Sequence, residues 1–309
     1  MNGPFLRGAV LRVTGNTWFR AVATRSKLGR VVASRFVAGE TLDAAIEVAR
    51  ILDGAKIATM ISHLGENVTA PEHAAEAVRA YVRALERIAD EPTLDLGISV
   101  KLTQLGLDFS NELCIANIEQ VLGAATGSGS IVMIDIESSA YVDRTIAIFH
   151  DLRTRHDRVG IALQTYLRRT ARDVDQLPAG SVVRLVKGAY LEPPEVAFES
   201  RREVDLAFSH LTATLLSRGH TVHVATHDPK LLEGAKRFAL DRGIPWSKVE
   251  FQMLYGVRRD LQTRFADGGY PVRVYVPYGT EWYPYLTRRL AERPANMWFF
   301  LSNFLRSWR

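Results

Sequence analysis

Short apolar, β-branched runs recur along the chain, each closed by polar or turn residues. They are ATMIS (58–62), LGISV (96–100), SIVMIDI (130–136), VGIALQ (159–164), SVVRLV (181–186), TVHVAT (221–226), VEFQML (249–254) and VRVYV (272–276). Nearly continuous apolar runs of this length are what strands buried on both faces of a parallel sheet require. The stretches between them have another period. In EHAAEAVRAYVRALERIA (72–89), Val78, Val82, Leu85 and Ala89 fall three and four residues apart, which predicts one apolar helix face. NELCIANIEQVLGAA, SAYVDRTIAIFHDLRTR and DPKLLEGAKRFALDRG repeat that design. YLTRRLAERPAN (285–296) reads as helix up to Pro294.

About eight strand–helix alternations in roughly 250 residues predict an α/β fold of the (β/α)8 TIM-barrel type. The rival is a doubly wound open sheet. It needs a glycine-rich turn after a strand, whereas the GSGS at 127–130 precedes one. Residues 1–55 read as an N-terminal helical extension and residues 56–309 as the barrel itself.

Composition narrows the class. The 309 residues are 47% hydrophobic and 24% charged, the balance of a globular protein with a large core. No apolar run reaches the length of a membrane span, and MNGPFLRGAV is too weakly apolar for an export signal. Cys114 stands alone, so no internal disulfide forms and a reducing compartment is expected. The Asn67–Thr69 sequon carries little weight without an export signal. The formal charge is +5, but the basic residues are spread out. No dense basic run is interleaved with aromatics, which argues against nucleic acid and leaves weak attraction to an acidic membrane surface open. His223 and His227 are four apart, but on and just past a strand, and no HExxH or cysteine cluster accompanies them, so no metal site is expected.

In a barrel of this type the site lies at the C-terminal strand ends. Those ends are polar here: Glu66 after the first run, then Lys101, Asp135 with Glu137, Gln164, Arg184 with Lys187-Gly188-Ala189-Tyr190, Thr226-His227, Gln252 and Tyr275. Burying such a set is costly unless its members pair or meet a ligand. Lys101, Arg184, Lys187, Arg288 and Arg289 outnumber Asp135 and Glu66, so the set predicts an anionic ligand. Arg288 and Arg289 lie one helical turn after Tyr285 and one before Glu292, and guanidinium forks match a carboxylate in bidentate geometry. A different chemistry stays open. Lys101 or Lys187 could form a Schiff base, as in barrel aldolases, if nearby arginines depress its pKa.

SVKLTQLG (99–106), MIDIES (133–138), RLVKGAY (184–190), ATHD (225–228), QMLYG (252–256) and YLTRRLAERPAN together resemble the proline dehydrogenase family, in its monofunctional bacterial branch. The resemblance runs in order from about residue 40 to the end. It implies a barrel that holds FAD and takes the first step of proline degradation to glutamate. L-proline would be oxidised to Δ1-pyrroline-5-carboxylate by hydride transfer from C5 to flavin N5, with electrons passed to a membrane quinone. By motif, Lys101, Arg288 and Arg289 would bind the substrate carboxylate, and Tyr275 and Tyr285 would close over its ring. Asp135 matches the active-site aspartate and Arg184 the arginine beside the flavin. Gln164, Lys187, Gly188, Ala189, Tyr190, Thr226 and His227 would line the cofactor, Gly188 by letting backbone approach it. Glu66 would gate the site by pairing with an arginine. A cytoplasmic location follows, with peripheral contact at the inner face of the cell membrane. Hydroxyproline is the near alternative substrate, disfavoured by the crowding of Tyr275 and Tyr285. Two features depart from the family pattern: His63 stands where an acidic residue is common, and ESRREVD (199–205) lacks the usual Lys and Thr, with Arg201 in the lysine's place.

Overall fold

The computed structural model describes residues 33–65 and 68–292, the side chains of Arg288, Leu290, Ala291 and Glu292 excepted. Helix α1 (Leu42–Asp53) begins the ordered alternation, its N-cap Thr41 hydroxyl accepting from Ala44 N. It lies within the described part of the expected N-terminal extension, residues 33–55. There follow β1 (Ala58–His63), α2 (Pro71–Ala89), β2 (Leu96–Val100), α3 (Asn111–Ser128), β3 (Val132–Ile134), α4 (Val142–Arg153), β4 (Val159–Gln164) and α5 (Thr170–Asp175). The second half holds β5 (Val182–Val186), α6 (Arg201–Ser217), β6 (Thr221–Ala225), α7 (Pro229–Asp241), β7 (Val249–Leu254), α8 (Arg259–Asp267), β8 (Val272–Tyr278) and α9 (Trp282–Glu292).

The eight strands form one closed parallel barrel in sequence order, sealed where β8 pairs with β1. That is the (β/α)8 architecture the pattern predicts. Three of the apolar runs match their strands end to end, and β3 is the main exception. Its run continues to Ile136, but the chain leaves the sheet at Asp135, whose N–H still bonds Val100 O at 2.8 Å. The buried face of α2 is also rotated from the expected one. Ala74, Ala77, Val78, Tyr81, Ala84, Leu85 and Ile88 face inward, while Ala89 is exposed at the helix end.

The main apolar core lies between the outer strand faces and the helices, and includes Phe149, Phe208, Phe251 and Phe265. Each such side chain stabilises by roughly 1.5–3 kcal/mol when fully buried. Inside the barrel the filling is unusual, because bulky branched residues normally dominate there. At one side Met60 and Met133 occupy space left by Gly97 and Gly160. A Cβ on Gly160 would stand 2.7 Å from the Met133 methyl, and one on Gly97 would stand 3.2 Å from that of Met60. At the other side the layer is charged. Lateral pairing puts His223 between Arg184 and Glu250, and Gln252 between Ala225 and Arg273.

A second apolar cluster seats α9. Trp282, Tyr283, Tyr285 and Leu286 pack on Ala33, Phe36, Val37 and on Leu64, just past β1. The last helix therefore rests at the C-terminal rim of the barrel. No helix among the described residues is long and apolar enough to cross a membrane.

Candidate active site

Asp135, just beyond β3, is the centre of the upper layer. Its Oδ1 accepts from Ser99 Oγ at 2.9 Å and from Arg184 Nη1 at 2.7 Å. Its Oδ2 accepts from Tyr275 OH at 2.9 Å and faces Lys101 Nζ at 3.3 Å. Four donors fill the acceptor capacity of a carboxylate. Burial alone would raise the Asp135 carboxyl, but Lys101 and Arg184 outweigh it and hold it below its ordinary value. Asp135 is thus a fixed anion that aligns two cations. Tyr275 is pushed the other way, by burial first and by Asp135 second, and stays a phenol. Its proton serves Asp135, with Ser62 Oγ 2.7 Å away on its other side.

Arg184, 4% exposed, projects from β5 into the barrel. Its Nε donates to Gln252 Oε1 at 2.7 Å, and its Nη1 donates to Ser99 Oγ at 2.7 Å as well as to Asp135. Its guanidinium carbon lies 5.5 Å from the Tyr275 ring centroid. Its buried Nη2 has no hydrogen-bond partner. A buried unmet donor carries a desolvation cost of about 1–3 kcal/mol, which a ligand acceptor would remove.

Glu137 holds the segment after Lys101, accepting from Thr103 N at 3.1 Å and from Thr103 Oγ at 2.6 Å. Gln164 donates to Glu137 O at 2.7 Å, and its Oε1 accepts from Ala189 N at 3.4 Å. His227 Nε2 accepts from Leu254 N at 2.9 Å, and Thr226 Oγ accepts from Asp228 N at 3.2 Å. Tyr190 sits half-buried on the same rim. These expected residues therefore line one continuous arc, from β4 to β7.

One expectation needs correction. The surplus of positive charge is smaller than the sequence suggests. Lys187 Nζ is ion-paired with Asp205 at 2.5 Å and Asp228 at 3.2 Å, and Arg201 joins the latter at 3.2 Å. With Lys101 facing Asp135, both Schiff-base candidates sit on carboxylates rather than against arginines alone. Gly188 has a reason of its own in the protein. Its φ is +126°, and a Cβ there would lie 2.2 Å from the Tyr166 ring. Arg289 is on α9 with its guanidinium carbon 5.4 Å from the Tyr285 ring centroid, but the Arg288 side chain and Glu66 lie outside the described residues. His63 has a definite place. Tyr81 OH donates to Gln104 Oε1 at 2.7 Å, which turns the Gln104 amide nitrogen toward His63 Nδ1 at 3.2 Å.

A lower charged layer escaped the sequence reading. Arg273 Nε forks to both Glu250 oxygens at 2.9 and 3.1 Å. Its Nη1 donates to the carbonyls of Thr59 and Asp95, and its Nη2 to both Asp95 carboxylate oxygens at 2.9 and 3.0 Å. His223 belongs to this layer, with Nδ1 2.8 Å from Gln252 Nε2 and Nε2 3.8 Å from Glu250. Both its nitrogens thus face protein groups. Among the described residues no three His, Cys, Asp or Glu side chains are grouped as a metal would need.

A closed parallel barrel with a buried aspartate–arginine–lysine–tyrosine cluster at its C-terminal strand ends defines a (β/α)8 enzyme. The comparisons with known proteins are specific. The family model for proline dehydrogenase matches residues 45–301. Proline dehydrogenase 1 of Bacillus subtilis is 38% identical over 278 residues, covering 90% of this chain and 92% of that one. The proline dehydrogenase of Deinococcus radiodurans is 36% identical over 308 residues, 97% of this chain and 98% of that one. The chain belongs to the proline dehydrogenase family. Among solved structures, proline utilization A (PutA) of Bdellovibrio bacteriovorus, inactivated by N-propargylglycine, superposes with a TM-score of 0.80 at 25% identity. The match covers 85% of this chain, which spans only 32% of that longer protein.

Proposed function

We propose that the protein oxidises L-proline to Δ1-pyrroline-5-carboxylate with FAD as its cofactor and a membrane quinone as the final acceptor. The observation that carries this is Arg184: a buried, fixed guanidinium at the barrel mouth with one donor nitrogen unspent. A flavin edge carries adjacent ring-nitrogen and carbonyl acceptors, so the donor set fits the group. Arg184 would hold the ring, and Gln164, Lys187, Gly188, Ala189, Tyr190, Thr226 and His227 would hold the rest. When bound, FAD supplies the acceptor for the hydride from proline C5 and passes the electrons on to the quinone.

The protein's own residues handle the substrate. Lys101, with Arg288 and Arg289 from α9, would take the carboxylate and so fix the position of the ring carbon at the far end. Tyr275 and Tyr285 would flank the ring and leave little room for an added hydroxyl. Asp135 stays anionic and aligns Lys101 with Arg184. A yellow protein whose flavin band bleaches anaerobically with L-proline, but not with D-proline or glycine, is the expected result. A yellow protein that proline leaves unchanged rejects the substrate. A protein that stays colourless with added FAD rejects the cofactor.

A further inference from the structure

Arg184 can direct its unspent nitrogen only if its guanidinium plane is fixed. Asp135 and Ser99 hold one corner, through Nη1. The remaining handle is Nε, whose partner among the described residues is Gln252 Oε1 at 2.7 Å. Gln252 is itself 3% exposed and comes from β7, two strands away from β5.

The orientation of its amide is determined by its neighbours. Oε1 must face Arg184 Nε–H, because a flipped amide would set two donors against each other. Nε2 then donates to Glu250 Oε1 at 2.6 Å and to His223 Nδ1 at 2.8 Å. For the second bond His223 must be neutral, with its proton on Nε2, toward Glu250. Burial provides that, lowering His223 from 6.5 to about 4. Glu250 in turn is held by the Arg273 fork. Every link has one satisfying arrangement, and the chain of bonds ends at Arg184.

We propose that Gln252, oriented by Glu250 and neutral His223, is the positioning residue that sets the plane of Arg184 and hence where its Nη2 donor points. The inference rests on the flavin reading above. It makes the charged floor of the barrel part of the site's alignment, though nothing there touches substrate.

Gln252→Met keeps the length and bulk of the side chain and removes all three of its hydrogen bonds. In the FAD-loaded protein its reduced cofactor should bind about tenfold more weakly relative to the oxidised form, a potential lower by ~30 mV for a two-electron couple. kcat should fall about tenfold, with KM for L-proline changed less than about twofold, as for a group acting on the reacting centre rather than on the carboxylate. The exchange variant Gln252→Glu with Glu250→Gln returns an acceptor to Arg184 and keeps one carboxylate and one amide. It should recover most of both quantities. If Gln252→Met does not fold, Gln252→Asn takes its place, since the shorter amide cannot reach both Arg184 and Glu250. A folded variant with wild-type potential and kcat, and only a lower Tm, overturns the inference and leaves Gln252 a packing residue. A wild-type protein that takes up no FAD overturns the flavin reading itself, and the two failures differ because the second needs no variant.

Discussion

Two arginines project into the same barrel from β5 and β8, and they are treated differently. Arg273, in the lower layer, directs every nitrogen of its guanidinium to Glu250, Asp95 or a backbone carbonyl. Arg184, in the upper layer, is as deeply buried yet leaves Nη2 unmet. A closed network around a buried charge serves the fold, because any missing partner would be costly. An open one leaves a donor that a ligand acceptor could satisfy. Burial and charge do not distinguish these two arginines; the satisfaction of their donors does.

The comparison is broken most severely from below. Arg273→Met leaves Glu250 without its fork, and should cost about 3–5 kcal/mol of stability, read as a large fall in Tm or loss of soluble protein. Arg184→Met should do the reverse. Lys101, Tyr275 and Ser99 still hold Asp135, so the fold survives better, while proline oxidation should fall by about 10²–10³-fold. A variant pair in which Arg184→Met loses more stability than Arg273→Met would invert the assignment.

Acid sharpens the contrast. His223 titrates near 4 in the folded chain against an ordinary 6.5, so unfolding takes up a proton between those values. Its stability contribution is complete above pH 6.5 and is lost as the pH falls toward 4, at most roughly 2–3 kcal/mol. Glu250, which burial would raise but His223 and Arg273 bring down to about 2 against an ordinary 4.5, extends the loss below that. Replacing His223 by Gln should flatten the dependence of Tm on pH between 7 and 4. Equal slopes in the two proteins would remove His223 from the account. The smallest effect is expected from Tyr275→Phe, which deletes one hydrogen bond to Asp135. About 1 kcal/mol of stability and a several-fold fall in kcat/KM should follow.

The strands were legible because each is a short apolar run with polar ends, and Lys101, Asp135, Arg184 and Tyr275 converge because barrel strands end on one rim. The partners were not legible. Arg273 lies in a run read as apolar, and its carboxylate acceptors are 23 and 178 residues away. Nothing local in VRVYV names them. Lys187 looked like spare positive charge because Asp205 and Asp228 come from separate helical starts. Asp228 had a local signal, as the N-cap of α7 accepting from Lys230 N, but a cap does not announce a second task. Gly188 was read through the cofactor because Tyr166 is invisible until β4 and β5 lie side by side.

The seam between β1 and β8 has a consequence in time. Arg273 reaches Thr59 across 214 residues, and Tyr275 reaches Ser62 across 213. During synthesis the first strand emerges long before its last partner exists, so its edge waits unpaired while the rest of the sheet is laid down. The bonds that finish the layer around Asp135 are made at that same closure. A chain released before β8 should therefore be inactive and prone to aggregation, not partly active. Pulse-labelled ribosome-bound chains of increasing length would show whether protease resistance arrives in one late step or strand by strand.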